Sequence, residues 1–228
     1  MQRKKRRTLS MMKKRRRTQR NIRLGLFILV IVLIITCVIK IKNHIFSSNE
    51  YYEVDTEAVD ASKPDIDVEL LTPNPYSRSQ EKTDKITGIV IHYTANPGAT
   101  AIGNRNYFEG LKDSHKTKAS SNFVVGLEGE IVQCVPTWEI AYASNGRNHD
   151  TVSIECCHPD ESGKFNNATY RSMVQLTAWL CLKFNLTEQD VIRHYDVTGK
   201  NCPKYFVENE DAWNQFKEDV KQAMACEK

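Results

Sequence analysis

The stretch ITGIVIH at residues 86–92 decides the fold of the main domain. Its β-branched residues form a short apolar run, which is typical of a buried strand, and the run ends in a histidine. TVSIEC at residues 151–156 and VIR at residues 191–193 follow the same pattern. We therefore expect three strands inside one sheet.

The remaining apolar patterns predict one hairpin and three helices. Apolar runs at residues 122–127 and 130–135 flank Glu128-Gly129, as in a β-hairpin. Helical spacing predicts helices over residues 101–111, 170–184 and 212–224, and either Asn166 or Asn167 suits the N-cap of the second helix. Strands that alternate with helices predict an α/β domain with a central mixed sheet flanked by helices.

Charge is divided unevenly along the chain. The formal net charge of the 228 residues is +4, yet residues 1–23 contain 12 of the 32 lysines and arginines and no acid. Residues 24–228 therefore carry a net charge of −8. This excludes a domain that binds nucleic acid through a basic surface.

An apolar segment follows the basic tail. LGLFILVIVLIITCVI at residues 24–39 has no charged residue and is just shorter than the about 17–25 residues of a membrane-spanning helix. We expect an uncleaved transmembrane anchor over residues 24–41, with the basic tail over residues 1–23 in the cytoplasm. A buried helix is the alternative for the apolar segment, and nuclear localisation or heparin binding is the alternative for the basic clusters.

The composition changes again over residues 42–85, which are rich in Asp, Glu, Ser, Thr and Pro. This pattern predicts an extracytoplasmic stalk or linker in front of a globular domain over residues 86–228. Residues 68–71 and Tyr76 are candidates for docking on that domain.

Three potential metal ligands follow predicted strands. His92 ends the first strand, His194 follows the third, and Cys202 comes eight residues later. Two imidazoles and a thiolate suit Zn²⁺, with a fourth position open to water. Spacing alone leaves a structural alternative open, in which each histidine is simply a satisfied residue at a strand end.

Four segments resemble one enzyme family. IVIHYTA (89–95), SSNFVVGLEGEIVQCVP (120–136), DTVSIEC (150–156) and VIRHYDVTGKNCP (191–203) have the order and spacing found in zinc-dependent N-acetylmuramoyl-L-alanine amidases. This family includes T7 lysozyme-type amidases and the peptidoglycan recognition proteins. The resemblance covers about residues 86–213 and implies that His92, His194 and Cys202 bind zinc.

The resemblance also implies a reaction. Water activated by zinc would hydrolyse the amide between N-acetylmuramic acid and the L-alanine of the stem peptide in peptidoglycan. Glu155 would transfer protons as the catalytic acid and base, and Lys200 would stabilise the oxyanion. Their structural alternatives are an edge-strand acid and a solvated loop lysine. Asp196 is a candidate acceptor for the second N–H of a zinc-binding histidine.

Together with the anchor, the resemblance implies a location at the bacterial cell membrane. The protein would be single-pass, with a cytoplasmic N-terminus and an extracytoplasmic catalytic domain that reaches a peptidoglycan or muropeptide substrate. Polar residues in expected loops are candidates for contact with glycan or peptide: Arg105, Asn106, Arg147 and Asn148.

The chain departs from the family in two places. Ser121-Asn122 stands where many relatives have a Tyr or His, and Tyr142-Ala143 stands where a Trp-His pair is common. The resemblance therefore assigns no role to these residues.

Two other functions remain open. A non-catalytic peptidoglycan-binding receptor would predict a broken ligand set, whereas the set here is complete. A cysteine hydrolase would use Cys202 with His92 or His194, but Pro203 argues against it, because proline lacks the backbone N–H that a nucleophile at a helix N-terminus needs. Among the other cysteines, Cys134 and Cys156 are a candidate disulfide pair, and Cys181 is expected to be a buried thiol.

Overall fold

The structure is a computed structural model of the chain. It describes residues 59–226, together with Tyr52, Phe27, Ile31, Val32 and residues 34–36. The chain divides into two compact units, Met1–Glu50 and Tyr51–Lys228. All the strands and helices described below belong to the second unit.

The prediction of a transmembrane anchor over residues 24–41 is wrong. No helix among the described residues is long and apolar enough to cross a membrane. The uncharged run of sixteen residues is also shorter than the about 17 residues that a spanning helix needs. The predicted single-pass location at a bacterial membrane depended on this helix and is corrected with it. Most of the segment, Cys37 and the basic tail lie outside the described residues.

A six-stranded mixed sheet forms the centre of the domain, as predicted. The strands are β1 (Asp67–Val68), β2 (Gly88–Tyr93), β3 (Phe123–Val125), β4 (Ile131–Gln133), β5 (Thr151–Cys156) and β6 (Val191–Arg193). Their order is β1-β4-β3-β5-β2-β6. β3, β5, β2 and β6 are mutually parallel, and β3 and β4 form the predicted antiparallel hairpin.

Within residues 59–226, five α-helices accompany the sheet: α1 (Ala101–Ser114), α2 (Asn167–Phe184), α3 (His194–Thr198), α4 (Lys204–Glu208) and α5 (Glu210–Ala225). Thr100 caps α1, because its hydroxyl accepts a hydrogen bond from the Gly103 N–H. Asn166 caps α2 by accepting from the Thr169 N–H, which settles the choice left open between Asn166 and Asn167.

Two apolar layers cover the two faces of the sheet. Side chains alternate along β3, so that Phe123 and Val125 pack with α2 and α5, whereas Val124 packs with α1 on the opposite face. Helices therefore flank the sheet on both sides, as the sequence predicted, and the carboxyl ends of β5, β2 and β6 lie side by side at one edge.

Part of the predicted stalk packs on the domain. Tyr52 is 1% exposed and stacks on Tyr170 with ring centroids 3.8 Å apart. Leu71 is buried against the opposite apolar layer, where the Arg105 guanidinium donates to the carbonyls of Glu69 and Leu70. Residues 59–85 thus contribute to the core, and the domain boundaries given above stay predictions.

Candidate metal centre

The parallel strands bring three titratable side chains to one edge of the sheet. His92 is the penultimate residue of β2 and pairs in register with Glu155, the penultimate residue of β5. On the other side of β2, Ile91 pairs with Arg193, the last residue of β6, and His194 follows immediately as the first residue of α3. Carboxyl ends of adjacent parallel strands meet at one edge, which is where α/β sheets bind ligands.

A short loop brings Cys202 to the same place. Gly199 caps the C-terminus of α3, and its φ of 76° is in the left-handed region that glycine adopts without strain. The chain then turns back, and the Tyr195 N–H donates to the Cys202 carbonyl at 2.8 Å. The Cys202 Sγ lies 3.8 Å from the Nδ1 of His92.

His92, His194 and Cys202 form a compact, buried group of potential metal ligands. One ligand atom from each residue lies within 4.8 Å of the others. The three residues are 1%, 6% and 2% exposed. Two imidazoles and one thiol within this distance match the donor set of a catalytic zinc site, in which a fourth position stays open.

The ring nitrogens support metal binding through Nδ1. The His194 Nε2–H donates to the Asn145 Oδ1 at 2.9 Å, since that oxygen is only an acceptor, and this leaves the lone pair on Nδ1. The Nδ1 of His194 is buried and has no hydrogen-bond partner. The Nε2 of His92 lies 3.1 Å from the Ser144 Oγ, so its Nδ1 also faces the centre. A buried, unpaired acceptor beside a thiol is what a metal ion would satisfy.

Burial sets the protonation of the three ligands. It lowers the pKa of His92 well below the ordinary value and also lowers that of His194, with a further contribution from the charge of Lys200. Both imidazoles are therefore neutral and able to ligate a cation. Burial and the neighbouring Glu155 raise the pKa of Cys202 to about 12, and a bound divalent cation is the kind of charge that deprotonates such a thiol.

Glu155 lies beside this group in an unusual environment for a carboxylate. Its Oε1 is 3.9 Å from the Nδ1 of His92, and its Oε2 is buried without a hydrogen-bond partner. Burial raises the pKa of Glu155 to about 8, against the opposing charge of Lys200. A carboxyl group with a pKa in this range can both accept and return a proton near neutral pH.

Lys200 belongs to the loop between α3 and Cys202, and its side chain is exposed. Its positive charge lowers the pKa of Glu155 and of the three ligand residues. The ammonium group therefore acts on the centre electrostatically while it stays open to solvent.

Sequence reasoning missed the residues that orient the histidines. The expectation that Asp196 accepts a histidine N–H is wrong, because its carboxylate accepts from the Arg193 backbone N–H at 2.8 Å and from the Arg193 guanidinium. The partners are Asn145, whose Oδ1 accepts from His194, and Ser144, whose hydroxyl is hydrogen-bonded to the Nε2 of His92. These lie about 50 residues away from the histidines in the chain, and nothing in their spacing signals the contact.

Arg193 was also missed, and it anchors the start of α3. Its guanidinium donates to Asp196, to the Phe206 carbonyl at 3.0 Å and to Glu210 at 2.6 Å. It also lies 5.3 Å from the Trp213 ring centroid. These contacts fix the backbone directly before His194.

Ser121 and Asn122, where the chain departs from the family, are buried and structural. The Asn122 amide donates to the Pro136 carbonyl and accepts from the Ser153 N–H, while the Ser121 hydroxyl donates to the Phe123 carbonyl. These side chains join β3 to β5 and are fully occupied by protein partners, which explains why they take no part in the centre.

The residues predicted to contact glycan or peptide have protein partners, and their contact with substrate stays a prediction. Arg105 and Asn106 lie in α1 rather than in a loop. Arg147 pairs with Asp150 at 2.8 Å, and the Asn148 Oδ1 accepts from the backbone N–H groups of Ala143 and Ser144.

Disulfides do not contribute to the described part of the chain. Cys134 and Cys156 are free and buried, so the candidate disulfide between them is wrong. Cys181 is a buried free thiol, as expected.

Comparisons with known proteins show which family and which fold this chain resembles. The profile of a family described as N-acetylmuramoyl-L-alanine amidase matches residues 82–205. The chain is 33% identical over 159 residues to N-acetylmuramoyl-L-alanine amidase CwlL of Bacillus licheniformis, covering 64% of this chain and 44% of that protein. It is 31% identical over 173 residues to BlyA of Bacillus subtilis (strain 168), covering 67% of this chain and 46% of the relative. The chain thus spans less than half the length of either relative.

Solved structures share the fold. The structure of PlyL superposes on this chain with a TM-score of 0.61 at 23% sequence identity. The superposition covers 70% of this chain and 99% of the PlyL chain. The catalytic domain of XlyA superposes with a TM-score of 0.58 at 23% identity, over 69% of this chain and 99% of its own. At these identities the likeness establishes the fold alone.

Proposed function

Because the chain belongs to the N-acetylmuramoyl-L-alanine amidase family, we propose that it hydrolyses the amide between N-acetylmuramic acid and the L-alanine of the peptidoglycan stem peptide. The observation that carries the proposal is the buried group of His92, His194 and Cys202 with the carboxyl of Glu155 beside it. A family match alone would leave a recognition role open, whereas a complete donor set beside an acid favours hydrolysis.

Zinc is the metal that this donor set suits best. Two imidazoles and a thiolate are borderline-soft ligands, and three protein ligands leave one position for a substrate or water. When bound, zinc supplies a Lewis acid that polarises a carbonyl and lowers the pKa of water to about 7. His92 and His194 would offer Nδ1, and Cys202 would offer Sγ.

Two residues would handle protons and charge. The Oε2 of Glu155 has no protein partner, so it is free to take a proton from the attacking water and to pass it to the leaving amine nitrogen. Lys200, whose charge reaches the centre from solvent, would stabilise the negative charge that develops on the substrate oxygen.

The alternative of a cysteine hydrolase is disfavoured by the state of Cys202. A nucleophilic cysteine needs a lowered pKa and partial exposure. Burial instead raises the pKa of Cys202 to about 12, and the residue is 2% exposed. A receptor without activity would need no acid such as Glu155 beside the ligands.

The test is hydrolysis of purified soluble muropeptide by the full chain, followed by mass spectrometry. Zinc-loaded protein is expected to release a stem peptide with a free L-alanine amino group. Chelation of the metal should abolish the release, and added zinc should restore it. Cys202→Ser should lose both zinc and activity, because a serine hydroxyl is a poor zinc ligand, whereas Cys226→Ser, outside the site, should keep both.

Release of the peptide at an undiminished rate by metal-free protein would overturn the zinc mechanism. Intact muropeptide in the presence of the zinc-loaded wild-type chain would overturn the amidase proposal and favour a receptor.

A further inference from the structure

Two consecutive residues contact both histidines of the candidate metal centre. The Ser144 Oγ lies 3.1 Å from the Nε2 of His92, and the Asn145 Oδ1 lies 2.9 Å from the Nε2 of His194. Ser144 is 1% exposed, so its hydroxyl is withdrawn from solvent. One dipeptide thus contacts the Nε2 of each imidazole, while the Nδ1 of His92 lies 3.8 Å from the Cys202 Sγ and the Nδ1 of His194 is buried without a hydrogen-bond partner.

Asn145 has a backbone conformation that is costly for its residue type. Its φ is 52°, in the left-handed region that favours glycine. Asparagine tolerates this region better than most residues, yet glycine would fit it without strain. Asn145 therefore presents its carboxamide to His194 from a backbone conformation that a glycine substitution would preserve.

The loop does not depend on these hydrogen bonds for its shape. The Asn148 Oδ1 accepts from the N–H groups of Ala143 and Ser144, and the Arg147 side chain pairs with Asp150. The backbone of the loop is therefore fixed by other contacts. These contacts place the side chains of Ser144 and Asn145 next to the imidazoles.

We infer that Ser144 and Asn145 are positioning residues that keep the proton of both imidazoles on Nε2 and thereby direct both Nδ1 lone pairs toward a metal ion beside Cys202. An imidazole without such a partner exchanges between its two neutral tautomers and rotates more freely, so that part of its population presents an N–H to the metal. Outer partners of this kind typically contribute about 10–100-fold to metal affinity. The inference rests on the metal site of the proposed function.

The first measurement reads the tautomers directly in the metal-free full chain. Imidazole ¹⁵N chemical shifts in NMR distinguish Nε2–H from Nδ1–H. The wild-type chain is expected to show Nε2–H at both histidines. Asn145→Gly, which suits the left-handed φ, should shift His194 toward a mixture of tautomers and leave His92 unchanged. Ser144→Ala should do the reverse.

Rescue and control variants separate positioning from packing. Asn145→Asp and Ser144→Thr keep an acceptor oxygen and should keep the Nε2–H tautomers. Asn185→Gly makes the same substitution at a φ of 56° at the end of α2, away from the centre, and should leave both imidazoles unchanged.

The second measurement is zinc affinity by competition with a chromophoric chelator. Asn145→Gly and Ser144→Ala should each weaken zinc binding by about tenfold or more. Wild-type tautomers and wild-type zinc affinity in both variants would overturn the inference. Failure of the wild-type chain to bind zinc would instead overturn the proposed metal site, and the tautomers would still report on Ser144 and Asn145.

Discussion

At the residue scale, burial shifts the pKa values of the candidate centre in opposite directions. Burial lowers the pKa of the two imidazoles and raises the pKa of Glu155 and of Cys202. In each case burial favours the neutral form, because a low-dielectric environment penalises charge. A bound divalent cation would instead favour the charged thiolate of Cys202, while the two imidazoles would stay neutral and able to ligate it.

Replacement of Glu155 tests its role separately from metal binding. Glu155→Gln keeps the size of the side chain but cannot take up a proton, so we expect muropeptide hydrolysis to fall by about 10²–10⁴-fold. Zinc stoichiometry should be unchanged, because Glu155 is outside the group of three ligands. Initial rates and metal analysis of the same samples measure both.

Glu161→Gln, at an exposed acid beyond the end of β5, is the matched control and should keep the wild-type rate. A Glu155→Gln enzyme as active as the wild type would remove the proton-transfer role.

At the same scale, five residues of the candidate site were proposed from the sequence and three others were found only in the structure. His92, His194 and Cys202 follow recognisable strands and match the family motif, whereas Glu155 and Lys200 were proposed from the family resemblance alone. Ser144, Asn145 and Arg193 were missed because a polar residue in a loop, or an arginine in a strand, looks the same whether its side chain meets solvent or a buried imidazole.

At the scale of elements, the position of α3 fixes one candidate metal ligand, because His194 is the first residue of this helix. Arg193 joins the end of β6 to the chain after Cys202 through the Phe206 carbonyl and Glu210. The Arg193 guanidinium therefore connects the backbone next to His194 with the backbone that follows Cys202.

Arg193→Lys is expected to loosen this arrangement. A lysine ammonium cannot reproduce the planar fork of donors, so we expect a loss of about 1–3 kcal/mol in the free energy of unfolding. Zinc affinity should fall as well, because the two ligands are no longer fixed relative to each other. Urea unfolding and chelator competition measure the two effects.

Arg105→Lys provides the comparison, since the Arg105 guanidinium on α1 likewise joins distant backbone by donating to the carbonyls of Glu69 and Leu70. It should reduce stability and leave zinc affinity unchanged. Equal effects of the two substitutions on zinc would show that Arg193 acts through stability alone.

At the scale of the whole molecule, residues before the predicted domain boundary contribute to its core. Tyr52 is stacked between the ring of Tyr170 and the ammonium of Lys164, which lies 5.3 Å from its ring centroid. Its ring is also in edge-on contact with Tyr205 and Phe206. We therefore expect the ring of Tyr52 to stabilise the domain.

Tyr52→Ala should lower the free energy of unfolding of the full chain by about 3 kcal/mol, as for other buried aromatic residues. Tyr52→Phe keeps the ring and should cost much less stability than Tyr52→Ala. Tyr107→Ala, at a tyrosine that is 56% exposed, should change stability by less than about 0.5 kcal/mol. Denaturant titrations measure all three, and an unchanged midpoint for Tyr52→Ala would contradict the packing of this segment.

The sequence by itself predicted the strands β2 to β6, the hairpin and the three long helices, because these depend on local periodicity, and it identified the motif residues at the strand ends. It did not predict the short strand β1 or the short helices α3 and α4. Its prediction of a membrane helix over residues 24–41, made from an apolar run with basic flanks, is wrong. The partners of the histidines, the anchoring of α3 and the packing of residues 59–85 were decided only by the tertiary structure. Ser144 and His92 are 52 residues apart in the chain, and Cys202 and His92 are 110 apart. Such contacts exist only once the sheet has brought distant strand ends to one edge.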